Sequence, residues 1–387
     1  MEKLPESHFP LQNLELERTD LYTFEGDKEK PLILFGLRGP GGMNCLWPVV
    51  EKLASENYPI DLLIDSAAKK ILSFKKSEFK KQRLESPLRR IMELKPKVAV
   101  SEFSADSGTA LALTWSEQSY GVPTIWVEDF PDVLGSYTSL LSSSLRINPT
   151  YMCAISEFSK KLVEKRKPTL NPGRIFVTGH PDYDKYHEID GLAIRKDVRK
   201  SLELSDDQFL IVYSGLLPPE TTGILGRLIE DLKQVNTKKE LVLLLSKHPR
   251  DAFPEEDYEK ILSKFDGRVI RQGDFTSDQI SYACDLLVAP GPSTEALKCA
   301  YRGVPSLHII PPDFYPDFPE IRIPLPVKVG ASVMVENYGD LKGSLEKVIN
   351  DDGFRSHMLE IAREEFKTEG KAAERIAEVI KETAGKE

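Results

Sequence analysis

The strongest constraint on this chain is a rhythm that runs twice along its 387 residues. Short apolar runs end in glycine, proline or polar turns and are separated by longer segments with apolar residues at helical spacing. Between residues 31 and 180 the runs are PLILFG, IDLLID, KVAVSE, TIWVE, YMCAIS and RIFVTG, and the intervening segments include WPVVEKLASEN, TALALTWSEQSYG and FSKKLVEKRK. After residue 190, FLIVYSG, ELVLLLSKHP, RVIRQG, CDLLVAPG and VPSLHIIP alternate with LGRLIEDLKQVN, SDQISYAC and TEALKCAYRG. Near-continuous apolar strands joined by amphipathic helices predict parallel sheets covered on both faces. The expected fold class is α/β, with two Rossmann-like parallel-sheet domains facing across a cleft. The expected division is 1–182, 183–355 and a charged helical segment 356–387, with the turn-rich GHPDYDKYHEIDG as linker.

Composition then narrows the function. Lys and Arg total 52 against 61 Asp and Glu, a net charge of -9, which repels a nucleic-acid backbone and argues against nucleic acid as a partner. No apolar run reaches the roughly 20 residues of a bilayer span. Cys45, Cys153, Cys284 and Cys299 lie far apart without zinc-site spacing and read as buried, reduced thiols. The acidic, proline-broken start lacks the regions of a secretory signal, so a cytoplasmic protein is expected. One segment breaks the acidic balance: residues 69–97 hold eleven basic and three acidic residues interleaved with Ile71, Leu72, Phe74 and Phe79. Such a run is a solvated helix face, or a contact for an anionic membrane or polyanionic acceptor.

In open parallel sheets ligands bind beyond the carboxyl ends of the strands, so chemistry is sought in the loops that follow them. The first such loop runs from Gly36 to Asn44. Its glycines, Gly41 and Gly42 among them, would let backbone approach a ligand just before a helix led by Trp47 and Pro48. It lacks the Lys-Ser/Thr ending of a phosphate-binding P-loop. In CDLLVAPGPSTEAL, a strand stops at Pro290 and Gly291, Pro292 follows, and Ser293 or Thr294 caps a helix whose open amides suit a phosphate. Glu295, in the first turn, is placed to accept hydrogen bonds from ribose hydroxyls or simply to favour the helix dipole. Lys247 and His248 end another strand, where they could neutralise charge on a departing phosphate. Ser214 and Gly215 complete a polar rim, and Phe275 offers an aromatic face to a base.

In the first half, Glu128 and Asp129 form an acidic pair at a strand end. One of them could take a proton from an acceptor hydroxyl, its neighbour raising its pKa, and Glu102 and Asp106 are further candidates. Turn capping or an ion pair would explain the same residues. Asp182-Tyr183-Asp184 has the form of a metal-binding DxD motif but lies in the linker, so no metal and no resident cofactor is expected.

These features together resemble the GT-B superfamily of nucleotide-sugar glycosyltransferases and the related UDP-N-acetylglucosamine 2-epimerases. The most specific parts are Val177-Thr178-Gly179-His180-Pro181 and the stretch CDLLVAPGPSTEALKCAYRGVPSLHIIP. Lys247-His248-Pro249 also resembles the HP motif of bacterial sialyltransferases and capsular transferases that use cytidine nucleotides. The resemblance implies that Ser293 and Thr294 hold phosphate, Glu295 holds the donor ribose, and Glu128-Asp129 includes the base. Phe130 stands where the sialyltransferase pattern has Gly, and the glycine loop lacks the His of the peptidoglycan N-acetylglucosaminyltransferase motif, so neither subfamily is claimed. The implied partners are a uridine or cytidine nucleotide-sugar and a glycan or lipid-linked acceptor. The implied activity is sugar transfer without a metal, with 2-epimerisation or non-catalytic nucleotide binding as alternatives.

Overall fold

The apolar runs form strands whose every residue is buried, as Ile33–Leu37, Ile60–Ile64, Val98–Phe103 and Thr124–Glu128 show. A computed structural model describes residues 20–37, 39–64, 79–82, 95–103, 120–130, 148–216, 220–248, 251–312, 323–366 and 368–386. The chain divides into two compact units, Met1–His187 with Thr368–Glu387, and Glu188–Lys367.

The first unit carries β1 (Asp20–Phe24), β2 (Ile33–Leu37), α1 (Gly39–Ser55), β3 (Ile60–Ile64), β4 (Lys80–Gln82), β5 (Val98–Phe103), β6 (Thr124–Glu128), β7 (Tyr151–Ala154), α2 (Glu157–Arg166) and β8 (Ile175–Val177). Its strands lie in the order β4-β1-β3-β2-β5-β6-β7-β8. The six from β3 to β8 in that order are parallel, as expected. Strands β1 and β4 were not expected. β1 is antiparallel to both its neighbours, and DLYTF and KKQ lack the apolar run that marks a central strand.

The second unit contains α3 (Gly191–Ser201), β9 (Gln208–Ser214), α4 (Glu220–Leu232), β10 (Glu240–Ser246), α5 (Glu255–Leu262), β11 (Arg268–Arg271), α6 (Ser277–Ala283), β12 (Leu286–Pro290), α7 (Thr294–Arg302), β13 (Ser306–Ile309), α8 (Leu325–Lys328), β14 (Val333–Val335), α9 (Leu341–Asn350) and α10 (Asp352–Glu365). Its sheet, β11-β10-β9-β12-β13-β14, is parallel throughout. At the sheet's amino edge, Asp285 accepts from Arg195 at 2.5 Å, from Arg199 at 3.1 Å and from the Leu210 amide at 2.8 Å. Arg199 also donates to the Ser205 and Gln208 carbonyls, which pins α3 to the starts of β9 and β12.

The final helix, α11 (Ala372–Ala384), belongs to the first unit. It buries Ile376, Ala377 and Ile380 in the core with Val49, Val50 and Leu53. The segment 356–387 is therefore not one body, because α10 stays with the second unit. The expected linker is also more structured than its polar composition suggests. Pro181–His187 forms a 3-10 helix that buries Tyr183 and Tyr186, and Asp184 accepts hydrogen bonds from the Ala372 and Ala373 amides at 2.9 and 2.8 Å. Asp184, one half of the DxD sequence, caps α11.

Each sheet changes winding direction once. In the first, β3 lies on one side of β2 and β5 on the other; in the second, β10 and β12 flank β9. Ligands of open α/β sheets bind at the carboxyl ends of such a pair, so the topology selects the loops after β2 and β5 and those after β9 and β12.

Candidate functional site

At the carboxyl edge of the first sheet, the expected glycine loop is a helix. α1 begins at Gly39, so Gly41 and Gly42 lie in its first turn and Pro48 inside it. The sequence suggests a start at Pro48 because proline is favoured in a helix's first turn and disfavoured in its interior. Gly42 is required by a close approach. A Cβ there would stand 2.4 to 2.5 Å from the side chain of Glu102, at the end of β5. A Cβ on Gly41 would lie 3.4 Å from Asp129 Oδ2. The opening of α1 thus faces two carboxylates of the protein's own, which disfavour an anionic ligand at Gly41 and Gly42.

The acidic pair after β6 separates into two environments. Glu128 is 2 % exposed and accepts hydrogen bonds from the Ile155 amide at 3.0 Å and the Ser159 hydroxyl at 2.6 Å. Asp129 Oδ1 is closed off from solvent with no hydrogen-bond partner among the described residues. Burial, and then the charge of Glu128, push the Asp129 carboxyl up to about 7, against the pull of the Asp129 and Phe130 amides. His180 Nε2 lies 2.9 Å from the Asp129 carbonyl. A carbonyl only accepts, so Nε2 carries the proton. The ring stacks on Tyr183 at 4.0 Å between centroids, and together these contacts fix the backbone of Asp129. Cys45, on α1, feels the charges of Asp129, Glu102 and Asp182, which together with burial hold its thiol well above the ordinary value. It remains a thiol.

The second sheet assembles most of the predicted binding residues at its switch point. Ser214 ends β9, and the buried Gly215 donates its amide to the Ser246 carbonyl at 2.9 Å. The Leu216 amide donates to Thr221 Oγ1 at 3.1 Å, in the first turn of α4. Opposite, β12 ends at Pro290, and Gly291 turns with φ +75, a left-handed conformation that favours glycine. Its carbonyl accepts from His308 Nδ1 at 2.9 Å. Burial pushes the His308 pKa down to about 4, so the ring braces the turn in its neutral form. Pro292 leads to Ser293, the N-cap of α7, whose side chain accepts from the Ala296 amide. The amides of Thr294 and Glu295 belong to the first helical turn, where no intrahelical partner exists. They are the group here best suited to an anion.

Three expected contacts are engaged elsewhere. Lys247 donates to the Phe253 carbonyl at 3.1 Å and to Glu255 at 2.6 Å, and its ammonium lies 4.8 Å from the centroid of the Tyr258 ring. This ties it to the start of α5 rather than to a phosphate. Glu295 pairs with Arg302 at 3.0 Å and Lys298 at 3.5 Å on its own helix. The Arg302 side chain is fully buried and also binds Asp278 at 2.6 Å, so Glu295 serves first to neutralise it. Phe275 packs partly buried against the core around Ala289 and Ala296. Its carbonyl accepts from Gln272, which in turn accepts from Ser246 at 2.6 Å. His248, half-buried, follows β10 on the same edge as Gly215. Asp106, Pro249 and most of the basic run 69–97 lie outside the described residues.

Ser159, His180 and His308 were not selected from the sequence. Their partners lie between 17 and 51 residues away, beyond any local motif, and the HP in the linker was the only signal for His180. A cavity of about 650 Å³ opens at the amino edge of the second sheet, lined by Arg195, Phe209, Lys239, Tyr282, Asp285 and Arg355. Its cations are spent on Asp285 and on carbonyls, Lys239 and Arg355 both on that of Ile349. It is a seam of the fold, away from the carboxyl edge.

No family model and no curated protein matches the sequence. By shape the chain is similar to several solved structures. The UDP-GlcNAc 2-epimerase from Neisseria meningitidis bound to UDP-GlcNAc gives a TM-score of 0.60 at 14% identity, over 90% of this chain and 99% of that one. MurG from Acinetobacter baumannii gives 0.63 at 13%, over 91% and 99%. HepE from Anabaena in complex with UDP and glucose gives 0.56 at 16%, over 91% and 100%. The fold is GT-B, the architecture these proteins share. No helix among the described residues is long and apolar enough to cross a membrane.

Proposed function

We propose that the chain is a glycosyltransferase that moves a sugar from a uridine or cytidine nucleotide to a hydroxyl of a glycan or lipid-linked acceptor, without a metal. The observation that carries this reading is Asp129, a carboxyl beside a switch point, with a shielded oxygen that has no partner among the described residues and a pKa raised to about 7. A group titrating near neutral pH accepts a hydroxyl proton well and releases it again, which contributes about 10²- to 10⁴-fold to such reactions. In the second unit, the first-turn amides of α7 and the Gly215 turn suit a diphosphate, and His248 is the ionisable group on that edge suited to meet the leaving charge. Several solved structures of this fold hold UDP or a UDP-sugar, as their names state.

A second reading, 2-epimerisation of a nucleotide-sugar, draws on Glu102. A second buried carboxylate packed against Gly42 suits a reaction in which a proton is removed from carbon and another returned. A panel of uridine, cytidine, guanosine and thymidine nucleotides, read by thermal shift, would choose the donor. A ligand at 100 times its Kd stabilises by about 2.7 kcal/mol. Incubation of the selected sugar nucleotide with and without acceptors then separates the readings. Product that appears only with acceptor supports transfer, and N-acetylmannosamine from UDP-N-acetylglucosamine alone supports epimerisation. Stabilisation with no turnover of any donor would leave a binding protein.

A further inference from the structure

The two members of the acidic pair are adjacent in sequence but differently held. Glu128 is buried on the Ile155 amide and the Ser159 hydroxyl, and Ser159 itself is fully buried in the first turns of α2. A carboxylate that accepts an amide and a hydroxyl proton is stabilised in its charged form. Both donors are fixed: Ile155 directly follows β7, and α2 is capped by Ser156, which accepts from the Ser159 amide at 3.1 Å. Asp129 has its Oδ1 closed from water without a partner among the described residues, and its backbone is clamped by His180. The first carboxyl has two fixed donors, whereas the second keeps one oxygen without a partner among the described residues, and the pull of its own and the Phe130 amide does not offset its burial.

We propose that Glu128 is a positioning residue and not the base. Seated on Ile155 and Ser159, it presents a fixed negative charge to Asp129 and sets the pH at which Asp129 works. This deepens the reading of Asp129 as the proton-transfer group and rests on it. It also gives α2 a part in the chemistry, because Ser159 couples the seating of that helix to the state of the neighbouring carboxyl. Among the described residues, the other ionisable groups around Asp129 are Glu102 at the end of β5, Cys45 on α1, and His180 and Asp182 beyond β8. Cys45 stays neutral, since burial and the surrounding carboxylates raise its thiol. His180 is bonded to the Asp129 carbonyl and needs a control.

The test is carbon-13 NMR of the Asp129 side-chain carboxyl in the full chain without nucleotide, followed from pH 4 to pH 9 in the unaltered protein, Glu128→Gln and Ser159→Ala. Glu128→Gln keeps an oxygen for the Ile155 amide and the Ser159 hydroxyl but removes the charge. The Asp129 midpoint should fall by about one pH unit, as expected when a neighbouring like charge is removed. Ser159→Ala leaves the charge but weakens its seat, so the midpoint should fall less. His180→Gln, which keeps a donor to the Asp129 carbonyl, should leave the Glu128→Gln effect in place. A midpoint unmoved in both Glu128→Gln and Ser159→Ala would overturn the proposal, as would an effect that vanishes in the His180→Gln background. Should Glu128→Gln not fold, the Ser159→Ala titration decides alone. The midpoint of the unaltered protein bears on Asp129 itself, whereas the difference between variants bears on Glu128, so the two readings fail separately.

Discussion

The two sheets are wound alike, yet their carboxyl edges are finished in opposite ways. In the second unit the charged side chains near the switch point are neutralised. Glu295 meets Arg302 and Lys298, and Lys247 meets Glu255. What stays open there is backbone, the first-turn amides of α7. In the first unit the backbone opening of α1 is faced by Glu102 and Asp129, and Asp129 Oδ1 has no hydrogen-bond partner among the described residues. Open amides bind an anion without changing protonation state, whereas a carboxyl withdrawn from water beside a like charge holds and releases a proton near neutral pH. In the proposed function this difference would divide binding from proton transfer along the chain, and it rests on which polar groups are left incomplete rather than on the fold.

Four substitutions would break or sharpen this contrast. The largest effect is expected from Asp129→Asn. Turnover of the selected nucleotide-sugar should fall by about 10²- to 10⁴-fold while nucleotide affinity, measured by calorimetry, is unchanged. The same variant should be more stable than the parent above pH 7. The folded protein holds the Asp129 proton from about pH 4 to 7 while the unfolded chain has released it, so folding stability falls as pH rises through that window and is lowest above it. Raising a carboxyl from about 4 to about 7 costs about 4 kcal/mol as an upper bound, read by denaturant unfolding at pH 5 and pH 8. Asn removes the loss, and equal pH dependence in the two proteins would contradict it.

Gly42→Ala follows. Its methyl group would meet Glu102 at 2.4 to 2.5 Å, and overpacking of this kind costs about 1–3 kcal/mol by the same unfolding measurement. Ser293→Ala should cost about 1 kcal/mol through the lost cap. It should also weaken nucleotide binding, because the first turn that presents the amides frays. Lys247→Ala should be smallest, under about 1 kcal/mol for a partly exposed ion pair, with nucleotide affinity unchanged. A large loss of affinity in that variant would restore Lys247 to the binding edge.

Most of this architecture could be read from the chain because buried parallel strands need apolar residues on both faces, and runs such as IDLLID and CDLLVAPG supply them without interruption. The antiparallel β1 and the short β4 escaped because DLYTF and KKQ satisfy no such requirement. The helix α1 was given too late a start because glycine weakens a helix locally, and only the approach of Glu102, 60 residues onward, explains why glycine is there. Asp129 was visible as one of an acidic pair. Its separation from Glu128 was not, since it depends on Ser159 and His180, which reach the pair through folding alone. For Lys247 the local setting misled, since its partners Phe253 and Glu255 lie past the turn that follows it.

The claim at the centre is that Asp129 exchanges its proton near neutral pH. Its carboxyl resonance in the unaltered protein, titrated without any ligand, measures this directly. A midpoint near 7 is the expected result. A midpoint near 4, the range of an ordinary solvated aspartate, would contradict it.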